Sequence, residues 1–364
     1  MTVQTKSVHD SPALFGGNSF RKNVQPPPLP LLEPKERNAF VRLLTARVLA
    51  QYQRTSVESV VEKCWPSDLV LRAAVAPAMT QVAGWAAEIA HRLVYDQLDA
   101  MAPTSAGAKL LKLGTVLVMD GLGSIVVPGF LAAAANSSFV AEGAPIPVRQ
   151  LTDTSVTLQP YKLATIAVLS REMLESSNAE VLIGDALVKS TSVALDFVMF
   201  DGNPAIPSTR PAGLLNGVAQ TPPAAAGTDA WISSFADFSS LAGAVSSVSG
   251  ANPIIAVAGP SKAVSMGLRL FGQIEPNILR SSALVGNIVA VAPIALVSAL
   301  SPTPDIEVTN AGTLVMDSAA GVVESGGALR SLFQTDSFAI KIRWPITWAL
   351  RSPAAVAWTT QTWQ

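Results

Sequence analysis

Apolar positions recur along this chain first at helical and then at strand spacing. "ERNAFVRLLTARVLAQYQ" (36–53) places Phe40, Leu43, Leu44, Val48 and Leu49 near one face, which predicts an amphipathic helix. After "CWPSD" (64–68), Ser67 or Asp68 can cap a second helical stretch. Pro77 interrupts that stretch, and Trp85, Ile89 and Leu93 continue a stripe at a spacing of four. "APTSAGAKLLKLG" (102–114) reads as a small-residue linker and a domain boundary.

Beyond the linker the period shortens. "TVLVMDGLGSIVVPGF" (115–130) is apolar with glycine punctuation, and "FVAEG" (139–143) opens like a strand. "SVTLQPYKLATIAVLS" (155–170) then alternates, with Val156 and Leu158 on one side and Ser155 and Thr157 on the other. Two arms of about ten residues project roughly 30 Å at strand rise, and an isolated hairpin of that kind is marginal in water. Next, Ser176, Ser177 or Asn178 can cap a helix running to Phe200, with Val181, Leu182, Ala186, Val193 and Phe197 as its apolar face. About 22 residues of helix span about 33 Å. Residues 220–325 alternate modest helices ("FADFSSLAGAVSSVS", "SKAVSMGLRLF") with short apolar strands, an α/β pattern. The end, "SFAIKIRWPITWALRSPAAVAWTTQ", reads as long strands. Trp344, Trp348, Trp358 and Trp363 there suit a sheet-to-helix core or a subunit contact. Residues 1–34 are polar and then proline-rich ("VQPPPLPLLEP"), an extended arm or tether.

Composition changes this picture in one respect. Of 364 residues, 49% are hydrophobic and 14% charged, against roughly 25% charged in soluble domains. So uncharged a surface favours association, because large exposed apolar patches mark interfaces. The net charge of −1 argues against a polycationic nucleic-acid binder, but not against a container that encloses nucleic acid. One cysteine, Cys64, leaves no internal disulfide and fits a reducing compartment. The start, "MTVQTKSVHD", lacks the apolar core of a signal peptide. The most hydrophobic run (284–300) is interrupted by Gly286, Asn287 and Pro293 and is too short to span a membrane. It reads as buried strand.

Candidate chemistry is sparse. His9 and His91 are the two histidines, so acid–base and zinc chemistry has little to draw on. "DGLGSIVVPG" (120–129) completes neither the dinucleotide nor the P-loop pattern and reads as a turn. Ser124 lacks the nucleophile elbow. Glu172 and Glu175 favour a helix N-terminus over an acid pair, and Cys64 beside Trp65 reads as packing. No catalytic, metal or cofactor-binding residue is nominated.

The passage that asks for a function is "FVAEGAPIPVRQ" (139–150). Pro145 and Pro147 stiffen it, so it loses little freedom on docking. Their missing N–H groups leave fewer orphaned donors across a neighbour. The pattern alone fits an ordinary surface turn equally well.

The order of elements resembles the major capsid proteins of tailed double-stranded DNA phages, the Hong Kong 97 fold. "FVAEGAPIP" looks like that family's ascending extended loop and "SVTLQPYKLATIAVLSREMLESS" like its return. "ALDFVMFDGN" and "PAGLLNG" look like the end of its spine helix, with Asp196, Gly202, Asn203, Pro211, Gly213 and Leu214 at matching points. "LVMDSAAG" and "FQTDSFAIKIRW…SPAAVAW" resemble its closing strands, with Asp317, Asp336, Arg343 and Pro353 in place.

The likeness covers residues 104–364 and implies an α+β fold. Its parts would be a proline-rich arm (1–34), an N-terminal helical arm or scaffold-like region (35–103) and a peripheral domain (104–219). That domain would hold an extended β-hairpin loop (about 136–165) and a spine helix (about 177–200). An axial α/β domain (220–325) and return strands of the peripheral domain (326–364) would follow. It implies no enzyme and no cofactor, but self-assembly into hexamers and pentamers of an icosahedral shell. That shell would enclose double-stranded DNA in the virion after assembly in the bacterial cytoplasm, with portal, scaffold or decoration proteins as partners and no membrane. Glu142, Gly143, Pro145, Ile146, Pro147 and Arg149 would form the intersubunit loop tip, and Val181, Leu182, Val193, Asp196 and Phe197 belong to the spine.

Some relatives cross-link through a lysine in this loop, but no lysine lies between Lys112 and Lys162, so the shell would be held non-covalently. Many carry an N-terminal segment that a protease removes. Residues 1–103 occupy that place, and their weak charge favours retention without deciding it. Two other readings remain open: an encapsulin-type cargo compartment of the same fold, and a soluble α/β hydrolase or ligand-binding protein.

Overall fold

In the computed structural model, the helical stripe foreseen near the N-terminus is α1 (Ala39–Gln53), with Phe40, Leu43, Leu44 and Val48 buried. The described residues are 39–68, 71–72, 75, 85–119, 123–129, 139–140, 142, 155–172, 179–225, 229–270, 277–302, 304–316 and 328–363. All fall in one unit spanning Asn38–Gln364. α2 (Val57–Cys64) starts at Ser56, whose hydroxyl accepts from the Ser59 N–H at 3.2 Å. Asp68 is the foreseen cap, accepting from the Leu71 N–H at 3.1 Å. Cys64 is exposed, so it does not pack as its neighbour Trp65 had implied. α3 (Trp85–Met101) carries His91 on its surface and buries Leu93, Val94, Leu98 and Met101.

The supposed linker 102–114 is mostly helix. α4 (Ala106–Leu113) is capped by Ser105, whose hydroxyl accepts from Ala108 N–H at 2.9 Å, and it buries Leu110 and Leu111. Its residues are small because space is short. A Cβ on Gly107 would lie 2.8 Å from Met199 Sδ and 2.9 Å from Asp196 Oδ1. Smallness here marks close packing of one helix end, which a sequence pattern does not distinguish from a flexible connection.

β1 (Thr115–Val118) enters a five-stranded sheet. Its other strands are β4 (Tyr161–Ser170), β8 (Leu296–Leu300), β9 (Asp305–Thr309) and the 14-residue β12 (Ser337–Leu350). β12 organises it: β4 runs antiparallel along it from Ser337↔Ser170 to Ile346↔Tyr161, while β8 and β9 share its other edge. A second sheet takes β5 (Ile255–Ala258), β6 (Asn277–Arg280), β7 (Asn287–Val291) and β13 (Val356–Thr360), in the order β13-β7-β5-β6. It is flanked by α6 (Ala230–Ser249) and α7 (Pro260–Leu270). Short hairpin sheets are formed by β2 (Ile125–Pro128) with β3 (Ser155–Leu158), and by β10 (Thr313–Met316) with β11 (Ala328–Ser331).

The two larger sheets are joined where the chain passes from one to the other side by side. β7 leads to β8 through a turn of 3-10 helix at Pro293–Ala295, and β12 leads to β13 through another at Pro353–Ala355. Ala292 N–H donates to Ala355 O and Arg351 N–H to Ala295 O, each at 2.8 Å. Strands are therefore distributed differently from the expected 220–325 and 326–364 modules. β8 and β9 lie in the first sheet, and β13 lies in the second. Local pattern locates strands but does not reveal which sheet an apolar strand joins.

α1 and α3 share their core with the first sheet, while α2 packs Val60 and Val61 on Leu43, Ala46, Ala50 and Leu71. Phe40, Leu44, Val48, Val94, Leu98 and Met101 are each no more than 1% exposed and pack with Phe338, Ile340, Ile342 and Trp344 of β12. Fully burying a large apolar side chain stabilises by about 1.5–3 kcal/mol, so these six rival the ~5–15 kcal/mol net stability of a domain. Trp344, Trp348 and Trp363 are buried and Trp358 half-buried. Their indole N–H groups donate to Gln97 Oε1, Ala212 O, Asp237 Oδ2 and Val218 O respectively, at 2.8–3.0 Å. Of the two roles foreseen for these tryptophans, an internal core is the one found.

Candidate functional site

The hairpin of interest is anchored before its tip is reached. β2 and β3 pair antiparallel from Ile125↔Leu158 to Pro128↔Ser155, so residues 129–154 are the excursion between them. The returning arm thus pairs with "IVVP", not with the "FVAEG" run that the sequence had set opposite it. Leu158 is buried with Met119, Val297 and Ala299 against the first sheet, and Ile125 and Val127 pack on the same cluster. Arg351, just past β12, donates from Nε to Pro128 O at 2.8 Å and from Nη2 to Gly129 O at 3.5 Å. The base is therefore tied to the chain just past the 14-residue β12.

Of the nominated tip, Glu142 is an exposed turn residue. Gly143, Pro145, Ile146, Pro147 and Arg149 lie outside the described residues. Phe139 and Val140 precede them, and Phe139 is fully exposed at 110%. A phenyl ring left in water on one chain is an unfavourable arrangement that a second surface would relieve.

The long helix is α5 (Ala179–Met199), close to the expected bounds. The proposed capping residues 176–178 lie outside the described residues, as do the side chains of Val181, Leu182 and Ala186. The buried stripe is not the one foreseen. Val193 and Phe197 are exposed, whereas Leu187, Thr191, Ser192, Leu195, Asp196 and Met199 face inward. The polar members are satisfied: Thr191 Oγ1 donates to Leu187 O at 2.7 Å and Ser192 Oγ to Val188 O at 2.6 Å. These four-back bonds let hydroxyls face a core. At Val193 and Phe197, therefore, an apolar-only reading placed outward positions on the inner face.

Asp196, fixed on that inner face, is where three elements meet. Its Oδ1 accepts from Ser105 Oγ at 2.5 Å and Gly107 N–H at 2.9 Å; its Oδ2 accepts from Ala106 N–H at 3.1 Å and Ser281 Oγ at 2.7 Å. The carboxylate thus sits at the N-terminus of α4, where free N–H groups and the helix dipole favour a negative charge. It also ties α5 to the residue that follows β6. Just beyond α5, Asp201 accepts from Asn203 N–H at 3.1 Å and Arg210 Nη2 at 2.6 Å. Gly213 is required beside it, since a Cβ there would meet Asp201 O at 2.1 Å.

Further along, Arg171 Nε donates to Asp336 Oδ1 at 3.0 Å, across the β4–β12 pair. Arg343 reaches both Asp305 and Glu307 of β9. Asp317 lies outside the described residues.

Among the described residues no group of three or more His, Cys, Asp or Glu is placed to hold a metal ion, and no helix is long and apolar enough to cross a membrane. A half-open cleft of about 180 Å³ lies between Leu113–Thr115, Asn252–Pro253 and Pro293–Ile294. It is smaller than the ~300–1,000 Å³ of ligand pockets and is lined by no titratable side chain.

No family model matches the chain. In sequence it is 32% identical over 166 residues to a capsid polyprotein of Pseudomonas phage PAJU2, covering 42% of this chain and 24% of that protein. The chain thus spans about a quarter of the length of that relative. Among solved structures, it overlays loosely on one from Microbacterium phage Oxtober96, with a TM-score of 0.46 and 14% identity, covering 71% of this chain and 91% of that one. Another is the satellite phage P4 procapsid including size determination protein, with a TM-score of 0.45 and 10% identity, covering 72% and 89%. A third is a virus-like particle from Pyrococcus furiosus, with a TM-score of 0.43 and 12% identity, covering 74% and 98%. In sequence, then, the chain is similar over 166 residues to part of a phage capsid polyprotein.

Proposed function

We propose that this chain is a major capsid protein of the Hong Kong 97 type, a structural subunit and not an enzyme. It self-assembles into hexamers and pentamers of an icosahedral shell that encloses the double-stranded DNA of a tailed phage or prophage. The observation that carries the proposal is the 32% identity over 166 residues to a phage capsid polyprotein. The anchored hairpin base with exposed Phe139, and the outward Val193 and Phe197 of α5, support it as surfaces left for neighbouring subunits.

In this reading the first sheet with α5 and the hairpin is the peripheral domain, and the second sheet with α6 and α7 is the axial domain. The segment from Glu142 through Gly143, Pro145, Ile146 and Pro147 to Arg149 lies on the adjacent subunit. The shell is held without covalent links and gathers portal, scaffold or decoration proteins in the host cytoplasm before becoming part of the virion.

Sedimentation of the expressed protein tests this. Shells travel far faster than a 37.9 kDa chain, and nuclease-protected double-stranded DNA in native particles distinguishes a virus from a cargo compartment. Material that stays monomeric in the presence of its neighbouring phage proteins overturns both shell readings.

A further inference from the structure

We infer that residues 39–101 are a permanent part of the subunit, so that any proteolytic trimming of its N-terminus stops before Ala39. The inference rests on the capsid reading for its setting and on the packing of α1 and α3 for its substance. A segment meant to be removed needs an interface that can part without ruining what remains. Here the interface is the core itself.

Phe40 of α1 stacks on Trp344 of β12, with ring centroids 5.1 Å apart and planes 17° from parallel. One helical stretch further on, Tyr52 meets Phe338 of the same strand edge-on at 5.2 Å. Val41 fills a notch on α5 that exists because residue 184 is glycine; a Cβ there would lie 2.5 Å from Val41 Cγ1. From α3, the fully buried Gln97 is held at both ends. Its Nε2 donates to Pro302 O at 2.8 Å and its Oε1 accepts from Trp344 Nε1 at 3.0 Å. Arg47 donates to Pro304 O at 2.9 Å.

Taking the two helices away would leave the Trp344 N–H without its acceptor and Pro302 O without its donor. It would also bare the apolar face of β12 from Phe338 to Trp344. The small-residue segment 102–114, the natural place to divide the chain on sequence grounds, is instead the capped start of α4, bound to Asp196 of the spine. A cut in the exposed turn at Pro103–Thr104 would nick the chain and leave the helices in place.

Quantitative peptide mapping of washed particles tests this without relying on a truncated chain. Peptides from 39–101 are expected at a molar ratio near one to peptides from 328–363, whether or not the chain between them is intact. A ratio near zero in particles overturns the inference and leaves the capsid reading standing. If no particles form, the capsid reading fails. The same ratio is then read on the full-length chain after limited proteolysis and gel filtration, where loss of 39–101 from the folded fraction overturns the inference independently.

Discussion

Asp196 is a buried carboxylate on whose two oxygens four donors converge. Asp196→Ala would leave Ser105, Ala106, Gly107 and Ser281 short of an acceptor at once. Each unsatisfied buried group costs about 1–3 kcal/mol, with some relieved by water. Chemical denaturation of the unassembled subunit should therefore show a loss of about 3–5 kcal/mol; a change under 1 kcal/mol would mean that the network is not holding the three elements together.

Asp96 lies on α3. Burial pushes its carboxyl above the ordinary 3.8, with Asp99 and Asp68 adding to the rise and Arg92 and Lys112 opposing it. A carboxyl whose folded pKa exceeds its unfolded one binds more protons when folded, so stability falls as pH rises through the window between the two values. Asp96→Asn should make the subunit more stable than the parent at pH 7, and the two should converge below the ordinary carboxylate value. Thermal melts across pH 3–8 check this, and a variant less stable at pH 7 would refute it.

At the scale of elements, the hairpin base is held by the packing of Leu158 on the first sheet and by a side chain from elsewhere in the chain. Arg351 donates to the carbonyls of Pro128 and Gly129, so Arg351→Ala should loosen the base where β2 ends. Because Arg351 is only half-buried, the melting temperature of the lone subunit should move by only a few degrees, while assembly measured by light scattering should slow markedly. Unchanged assembly would remove the hairpin base from the account.

The elements themselves were largely legible in the sequence. The Phe40–Val48 stripe and the apolar runs at 284–300 and 337–361 form as their periods dictate, and the long helix forms over Ala179–Met199, close to the expected bounds. Three features were not. Thr191, Ser192 and Asp196 face the core because each is satisfied by a specific partner, and no apolar count registers that. Gly107 and its small neighbours looked like a linker because close helix packing and flexibility select the same residues. The assignment of β8, β9 and β13 to sheets depends on pairings tens of residues away, which local alternation does not encode.

For the whole molecule, few charges and a large apolar fraction have two outlets: the core that joins α1 and α3 to β12, and the faces that this core leaves uncovered. Phe139, Val193 and Phe197 lie on the second. The central claim is that the excursion 129–154 is completed by another copy of the chain. The direct measurement is a three-dimensional reconstruction of purified particles in which this segment can be traced. It should lie across the adjacent subunit, with Phe139 covered by that neighbour. A segment folded back onto its own subunit, with Phe139 still facing solvent, would contradict the claim.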